Sequence, residues 1–448
     1  MNFRVYSSLV RRRGLAAVAL SLVSHPLQSQ QLQPDGGMSP PVVVETTALR
    51  AGTIATSFTQ ARERTQDWDV PGSLATEFAM PGNRLSGPGW RLTETAACDS
   101  YLFTYELWTS AGWFFPHSSS MLRIRKAEAE AVAKLNEMQQ TPLFLKGISS
   151  SATGLVKSTG QAFKHPIDTL KKVPVGLGRF AGGMVARAQE GYTPGESGTI
   201  IHLPAKRSLA FKLGVDPYSD NEELQQGLNA VAANSNYGAL TFGIGTAFIG
   251  GIVGTGVTVA KWNDRALNKL RDKSGAELTK DNRRTLRGIG AREATVDDFI
   301  ERKGLSVTRV TIMAEGLYEM KEVAGINQYL NFVMFAQRPE IALYHQQQVT
   351  MAANYHENQG RLTRFQTAEG MALFYEGQKK VHLFAPVDTI LWTPETKDKT
   401  DRLQAAVGKD VSIHVWILGQ ASAKALSEYA NRGIIIHEDV KTGTPTKK

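Results

Sequence analysis

The stretch GALTFGIGTAFIGGIVGTGVTVAKW, Gly238 to Trp262, constrains this chain more than any other. No charged residue stands between Glu223 and Lys261, and the apolar part, Tyr237 to Ala260, is 24 residues long. At about 1.5 Å per residue a helix of that length crosses a bilayer core. Gly243, Ala247 and Gly251 recur at every fourth position, so such a helix would offer a smooth ridge to a neighbour. Tyr237 and Trp262 stand at the two ends, where interfacial aromatics belong, and residues 261–287 hold nine basic against four acidic residues, like the cytoplasmic flank of a stop-transfer segment. The composition points the other way. Eleven of the 24 residues are Gly or Thr, which leaves few bulky groups to drive insertion, and each interior Gly weakens a helix by about 1 kcal/mol against Ala. A buried glycine-rich helix hairpin, or two closely approaching strands, fits the same letters. Membrane span and buried segment both stand open on the sequence.

The N-terminus reads as an export signal. Residues 1–29 combine Arg4, Arg11, Arg12 and Arg13, an apolar stretch from Leu15 to Val23, and Ser29 as a small residue before a cut. The apolar stretch is too short to span a bilayer. The chain carries a formal charge of +9, and removing this segment leaves about +5. That mild bias suits anionic lipid or an acidic protein partner, and it lacks the concentrated patch of a nucleic-acid binder. Cys98 is the sole cysteine, which rules out an intramolecular disulfide and a thiolate metal cluster. Its apolar neighbours predict an inert, half-buried thiol.

The expected fold class is α+β, with a small N-terminal β region, a mainly helical middle and a C-terminal three-layer βαβαβ (Rossmann-like) domain with parallel strands. Residues 30–120 are loop-rich, with short strands where SYLFTYELWTSAGWFF turns near Ser110-Ala111-Gly112. Aromatics this dense predict a sheet face that another element must cover. Residues 121–236 are helical, with basic, interrupted amphipathic pieces over 142–190 that suit either an anionic membrane surface or a protein core. Within them DPYSDNEELQQGLNAVAA predicts a helix with Ser219 as N-cap and Glu222 as its capping-box partner. Residues 237–260 are the glycine-rich segment. Residues 261–370 read as consecutive helices, among them TVDDFIERKG with Thr295 as cap. Met313, Leu317 and Met320 leave the following helix without a basic face, against a helix-turn-helix. His345 and His356 show no metal-ligand spacing and read as isolated helical histidines with polar partners.

Residues 371–448 are the most legible part. MALFYEGQKKVHLF predicts a hairpin turning at Glu376–Lys379. Then follow a strand DTILW, a helix opened by Thr393-Pro394, a strand VSIHVWILG, a helix opened by Ser422, and a strand GIIIHED, with Gly433 at the last helix stop. Short connections between alternating strands and helices predict a parallel βαβαβ unit. In such a unit ligands meet the carboxyl ends of the strands, where helix N-termini point free N–H groups outward. That edge contains Trp392, Thr393, Gly419, Gln420 and Ser422, with His437 and Asp439 near the third strand's end. Thr393, Gly419, Gln420 and Ser422 are the candidate ligand residues for an anion or a peptide carboxylate. Thr393 and Ser422 also suit plain helix caps. ILGQAS lacks the glycine and lysine pattern of nucleotide loops, and no catalytic constellation, metal site or cofactor is expected.

These observations suggest an exported, bacterial-type envelope protein, membrane-associated or periplasmic, with a structural or interaction role. Two alternatives stand beside it. One is a hydrolase or transferase acting on an anionic substrate at the Thr393 and Ser422 edge; the other is a membrane-inserting effector built on the glycine run.

Overall fold

The computed structural model describes residues 68–80, 84–141, 144, 203–233, 248–249, 252–253, 261–302, 304–334 and 338–440. The expected signal peptide, most of the loop-rich segment up to residue 67, and nearly all of the basic pieces over 142–190 lie outside the described residues.

The N-terminal region contains β1 (Ser73–Ala75), a one-turn α1 (Thr76–Ala79), β2 (Ser86–Gly87), β3 (Trp90–Leu92), β4 (Thr95–Cys98), β5 (Phe103–Thr104), β6 (Leu107–Thr109) and β7 (Gly112–Phe114). They form two small antiparallel sheets, β1-β4-β5 and β2-β3-β6-β7. The alternation of strand side chains sends Trp90, Leu92 and Leu107 inward. The long helix α2 (Ser119–Gln139) covers them with Leu122 and Ala129. Gly89 makes this approach possible: its φ is +76°, and a Cβ there would sit 2.8 Å from the Ala129 carbonyl. On the outer face Trp108 and Trp113, direct cross-strand partners, remain exposed. The cover expected for these aromatics is therefore on one side only. Cys98 is buried, and burial pushes its thiol up to about 11, which makes it inert.

The helical middle runs α3 (Leu203–Leu213), α4 (Glu222–Ala232), the short strands β8 (Phe248–Ile249) and β9 (Ile252–Val253), then α5 (Lys261–Asp272), α6 (Gly275–Gly288), α7 (Glu293–Ile300), α8 (Val307–Glu319), α9 (Ile326–Val333) and α10 (Pro339–Asn358). Two expected caps are corrected. Asn221, not Ser219, accepts the Leu224 N–H and starts α4, while Ser219 is drawn away to donate to Glu128. Helix α7 begins at Glu293 after Arg292, which places Thr295 inside its first turn. A capping box does occur, at Ser274 and Glu277.

The membrane reading of the glycine run is also corrected. Among the described residues no helix is long and apolar enough to cross a membrane. The parts of the run that are described, β8 and β9, pair as an antiparallel ladder with Ile249 opposite Ile252. Trp262, expected at a membrane interface, is fully buried and donates its indole N–H to Asn354 on α10 at 3.0 Å. Helix α8 lies so close that a Cβ on Gly316 would meet Val349 at 2.6 Å. The expectation of a membrane-associated hydrophobic helix is corrected to this extent: among the described residues there is none long and apolar enough to span.

The C-terminal part adds β10 (Arg364–Ala368), β11 (Met371–Glu376), β12 (Lys380–Ala385), β13 (Thr389–Ile390), α11 (Pro394–Val407), β14 (Ser412–Ile417), β15 (Gln420–Ala421), α12 (Ala423–Asn431) and β16 (Ile434–His437). The main sheet has the order β10-β11-β12-β14-β16; β10, β11 and β12 are antiparallel, whereas β12, β14 and β16 are parallel. The hairpin turning after Glu376 is as expected. Two details differ. β10 falls in a stretch read as helical, and the first parallel strand is β12, not DTILW. After Ala385 the chain turns out of the sheet, and Thr389–Ile390 pairs instead with Gln420–Ala421 in a separate parallel ladder. The anchor is Asp388, whose carboxylate accepts the Phe103 N–H of β5 and the Ser119 N–H at the start of α2. One sheet face meets the helical core through Phe374, Phe384 and Trp416; the other carries Leu373, Val381, Ile413, Val415 and Ile417 under α11 and α12. The whole is a mixed α/β architecture: an N-terminal β region, a helical middle and a C-terminal α/β domain containing parallel strands.

Candidate functional site

The four expected ligand residues lie together at the carboxyl edge of the parallel strands, but each is already engaged. Thr393 is buried and caps α11, accepting the Thr396 N–H at 3.2 Å. Ser422 caps α12, accepting the Ala425 N–H at 3.0 Å. Gly419 lies in close approach to another backbone segment: a Cβ there would sit 1.7 Å from the Asp388 carbonyl. Gln420 is exposed, takes the Thr389 hydroxyl on its carbonyl and donates its side chain to Asp439 at 3.1 Å. His437 turns away from this edge and stacks on Trp416.

What occupies the edge is a carboxylate of the chain itself. Asp69 Oδ2 accepts the Trp392 N–H at 2.6 Å and the Ser422 hydroxyl, and the Asp69 N–H donates to the Trp392 carbonyl at 2.8 Å. Residues 68–72 thus form a strap, tied at its far end where Cys98 N–H donates to the Gly72 carbonyl and β1 pairs with β4. An acidic group beside two helix N-termini is where the peptide dipoles favour it. Nothing in the sequence around Trp68-Asp69-Val70 signals this contact, because its partners are more than 300 residues away.

A second constellation lies on the sheet face that meets the helical core. Strands β12 and β14 read KVHLFA and SIHVWI, and they pair one to one, so Lys380 stands beside Ser412, His382 beside His414 and Phe384 beside Trp416. Trp416 Nε1 donates to His382 Nδ1 at 3.0 Å. An indole N–H only donates, so the His382 proton is on Nε2 and points to Glu376 Oε2, 3.1 Å away. The Tyr355 hydroxyl, at 2.6 Å, and Lys380, at 3.1 Å, share that oxygen. Burial pushes Glu376 up, but these hydrogen bonds outweigh it and hold the carboxyl below its ordinary range. Burial pushes His382 and His437 down from 6.5 to about 4, and lowers His414 as well. His437 stacks on the Trp416 indole with ring centroids 3.7 Å apart. Its Nε2 is 3.0 Å from His414 Nδ1, and His414 Nε2 is 3.1 Å from Ser412 Oγ. The alternation of His and Trp with Ile and Val in the two strands is a sequence signal for this cluster; reading DTILW as the first parallel strand hides it.

Elsewhere, Arg125, Glu128, Asp216, Asp220 and Arg309, together with Met121, Ile124 and Val215, line a small cavity of about 40 Å³ between α2 and α8, room for a water or two. Among the described residues no group of three or more His, Cys, Asp or Glu is placed to hold a metal ion. His345 and His356 are buried in α10; the latter accepts the Leu362 N–H. Compared with known proteins, the chain matches no family model, no curated protein and no solved structure.

Proposed function

We propose that the protein is an exported interaction protein of the bacterial cell-envelope kind, whose C-terminal unit receives an extended, carboxylate-bearing segment at the carboxyl edge of its parallel strands. β12, α11, β14, α12 and β16 read as half of a doubly wound, Rossmann-like three-layer unit, in which that edge is the ligand position. The observation that carries the reading is Asp69, a carboxylate on an extended strap bound by Trp392 N–H and Ser422 Oγ. A tethered segment sits at a local concentration in the millimolar range, so even a weak site stays filled in cis and opens to a stronger acidic peptide. The engagement of Thr393 and Ser422 as caps favours binding over catalysis at this edge. The leader-like residues 1–29 support export.

The test uses the full chain carrying Asp69→Ala and a fluorescent peptide copying residues 66–73. The peptide is expected to bind this variant, and to lose about tenfold in affinity when its Asp69 equivalent becomes Asn or when Ser422 becomes Ala. Equal binding by the Asn peptide, or none at millimolar concentration, would reduce the strap to a structural clip.

A further inference from the structure

The sheet face supplies an arrangement that the carboxylate edge does not use. Ser412 is exposed at the start of β14, and its Oγ lies 3.1 Å from His414 Nε2. On the other side of that imidazole, Nδ1 lies 3.0 Å from His437 Nε2. Two facing ring nitrogens at that distance share one proton. When His414 Nδ1–H donates to His437, His414 Nε2 is left as the acceptor for the Ser412 hydroxyl. A hydroxyl, a base and a group that orients the base then stand in line, which is the geometry of an activated nucleophile. The line is held firmly, because His437 is stacked on Trp416 and Trp416 is pinned by its hydrogen bond to His382.

We propose that Ser412 is a nucleophile towards small carboxylic esters, with His414 as its base and His437 as the residue that positions His414. The reading is independent of the acidic-peptide edge. In the acylation step Ser412 Oγ bonds to the ester carbonyl carbon and its proton passes to His414 Nε2. The carbon–oxygen bond to the alcohol then breaks, and the alcohol leaves with that proton. Water attacks the acyl-serine in the same way, giving its proton to His414, and the ester bond to Ser412 breaks as that proton returns to Ser412 Oγ, releasing the carboxylic acid. Lys380 is the direct cross-strand partner of Ser412, and its ammonium is paired with Glu376. An exposed serine at the start of β14 admits a short acyl group without demanding a deep acyl pocket.

The experiment treats the full chain with a fluorophosphonate probe and maps the adduct by peptide mass spectrometry, with release of nitrophenolate from p-nitrophenyl acetate as the second readout. Labelling at Ser412 is expected, absent in Ser412→Ala and slowed about a hundredfold in His414→Gln. His437→Phe keeps a ring on Trp416 but removes the acceptor. It is expected to slow labelling and to move the pH at which the rate is half-maximal, a change that a purely structural role would not produce. Thermal melts identify any variant that fails to fold, and in that case the wild-type adduct map alone decides. No adduct at Ser412, labelling spread evenly over surface serines, or wild-type rates in folded His414→Gln would overturn the proposal.

Discussion

Trp416 donates its indole N–H to His382 Nδ1 at 3.0 Å, and this one bond fixes the tautomer of a fully buried histidine. The neutral ring then passes its single N–H to Glu376. A proton added to His382 has no acceptor on the Nδ1 side, which adds to the effect of burial.

Acid should therefore weaken the fold through His382. His382 has a folded pKa of about 4 against 6.5 unfolded, so the unfolded chain binds more protons between those values. The stability this neutral ring contributes is present above pH 6.5 and is lost as pH falls towards 4. For the buried His382 the loss amounts to about 3 kcal/mol at most. Urea titrations at pH 7 and pH 4.5 are expected to show the drop, and His382→Gln should flatten it. An unchanged slope in that variant would remove His382 as the cause.

Asp216 works with the opposite sign. Burial pushes its carboxyl up from 3.8 to about 6, so the folded state binds more protons than the unfolded one between those values. Stability associated with the protonated form is present below 3.8 and fades as pH rises through 6. Asp216→Asn, which keeps an acceptor for Thr308 and Tyr218 N–H, is expected to gain stability relative to wild type at pH 7.5 and not at pH 4. A pH-independent difference would contradict this.

Asp388 ties the N-terminal β region and α2 to the C-terminal sheet by accepting the Phe103 and Ser119 N–H groups. Asp388→Ala leaves both donors buried without their partner, and each orphan costs about 1–3 kcal/mol. A loss of several kcal/mol in denaturant titration is expected, with protease access gained first near residues 99–119.

Gly419→Ala is a test of folding rather than of ligand binding. Its Cβ would meet the Asp388 carbonyl at 1.7 Å, a clash with backbone that no side-chain rotation relieves. The expected result is loss of more than about 3 kcal/mol or failure to fold. Near-wild-type stability would mean that the loop after Ala385 can shift.

Trp262→Ala should destabilise by about 3–5 kcal/mol, as removal of a large core side chain does, and should leave Asn354 Oδ1 without its indole donor. A mild effect would show that Trp262 lies outside the core.

The sequence by itself determined whatever depends on neighbours in the chain. The hairpin after Glu376, the caps at Thr393 and Ser422, and the helix–strand alternation of residues 394–437 follow from turn residues, N-cap chemistry and periodicity within a few positions. Tertiary structure decided the rest. Ser219 loses its capping role because Glu128, 91 residues away, takes its hydroxyl. DTILW leaves the main sheet because Asp388 is anchored to the start of a distant helix. The glycine run kept two readings because length and hydropathy measure only the wish to avoid water, while whether lipid or protein meets that wish is set by what folds against it. The carboxyl edge of the parallel strands was legible as a position, but the Asp69 contact there was not. Asp69 reaches Ser422 across 353 positions of sequence, and no local pattern encodes a contact that exists only once the chain has closed on itself.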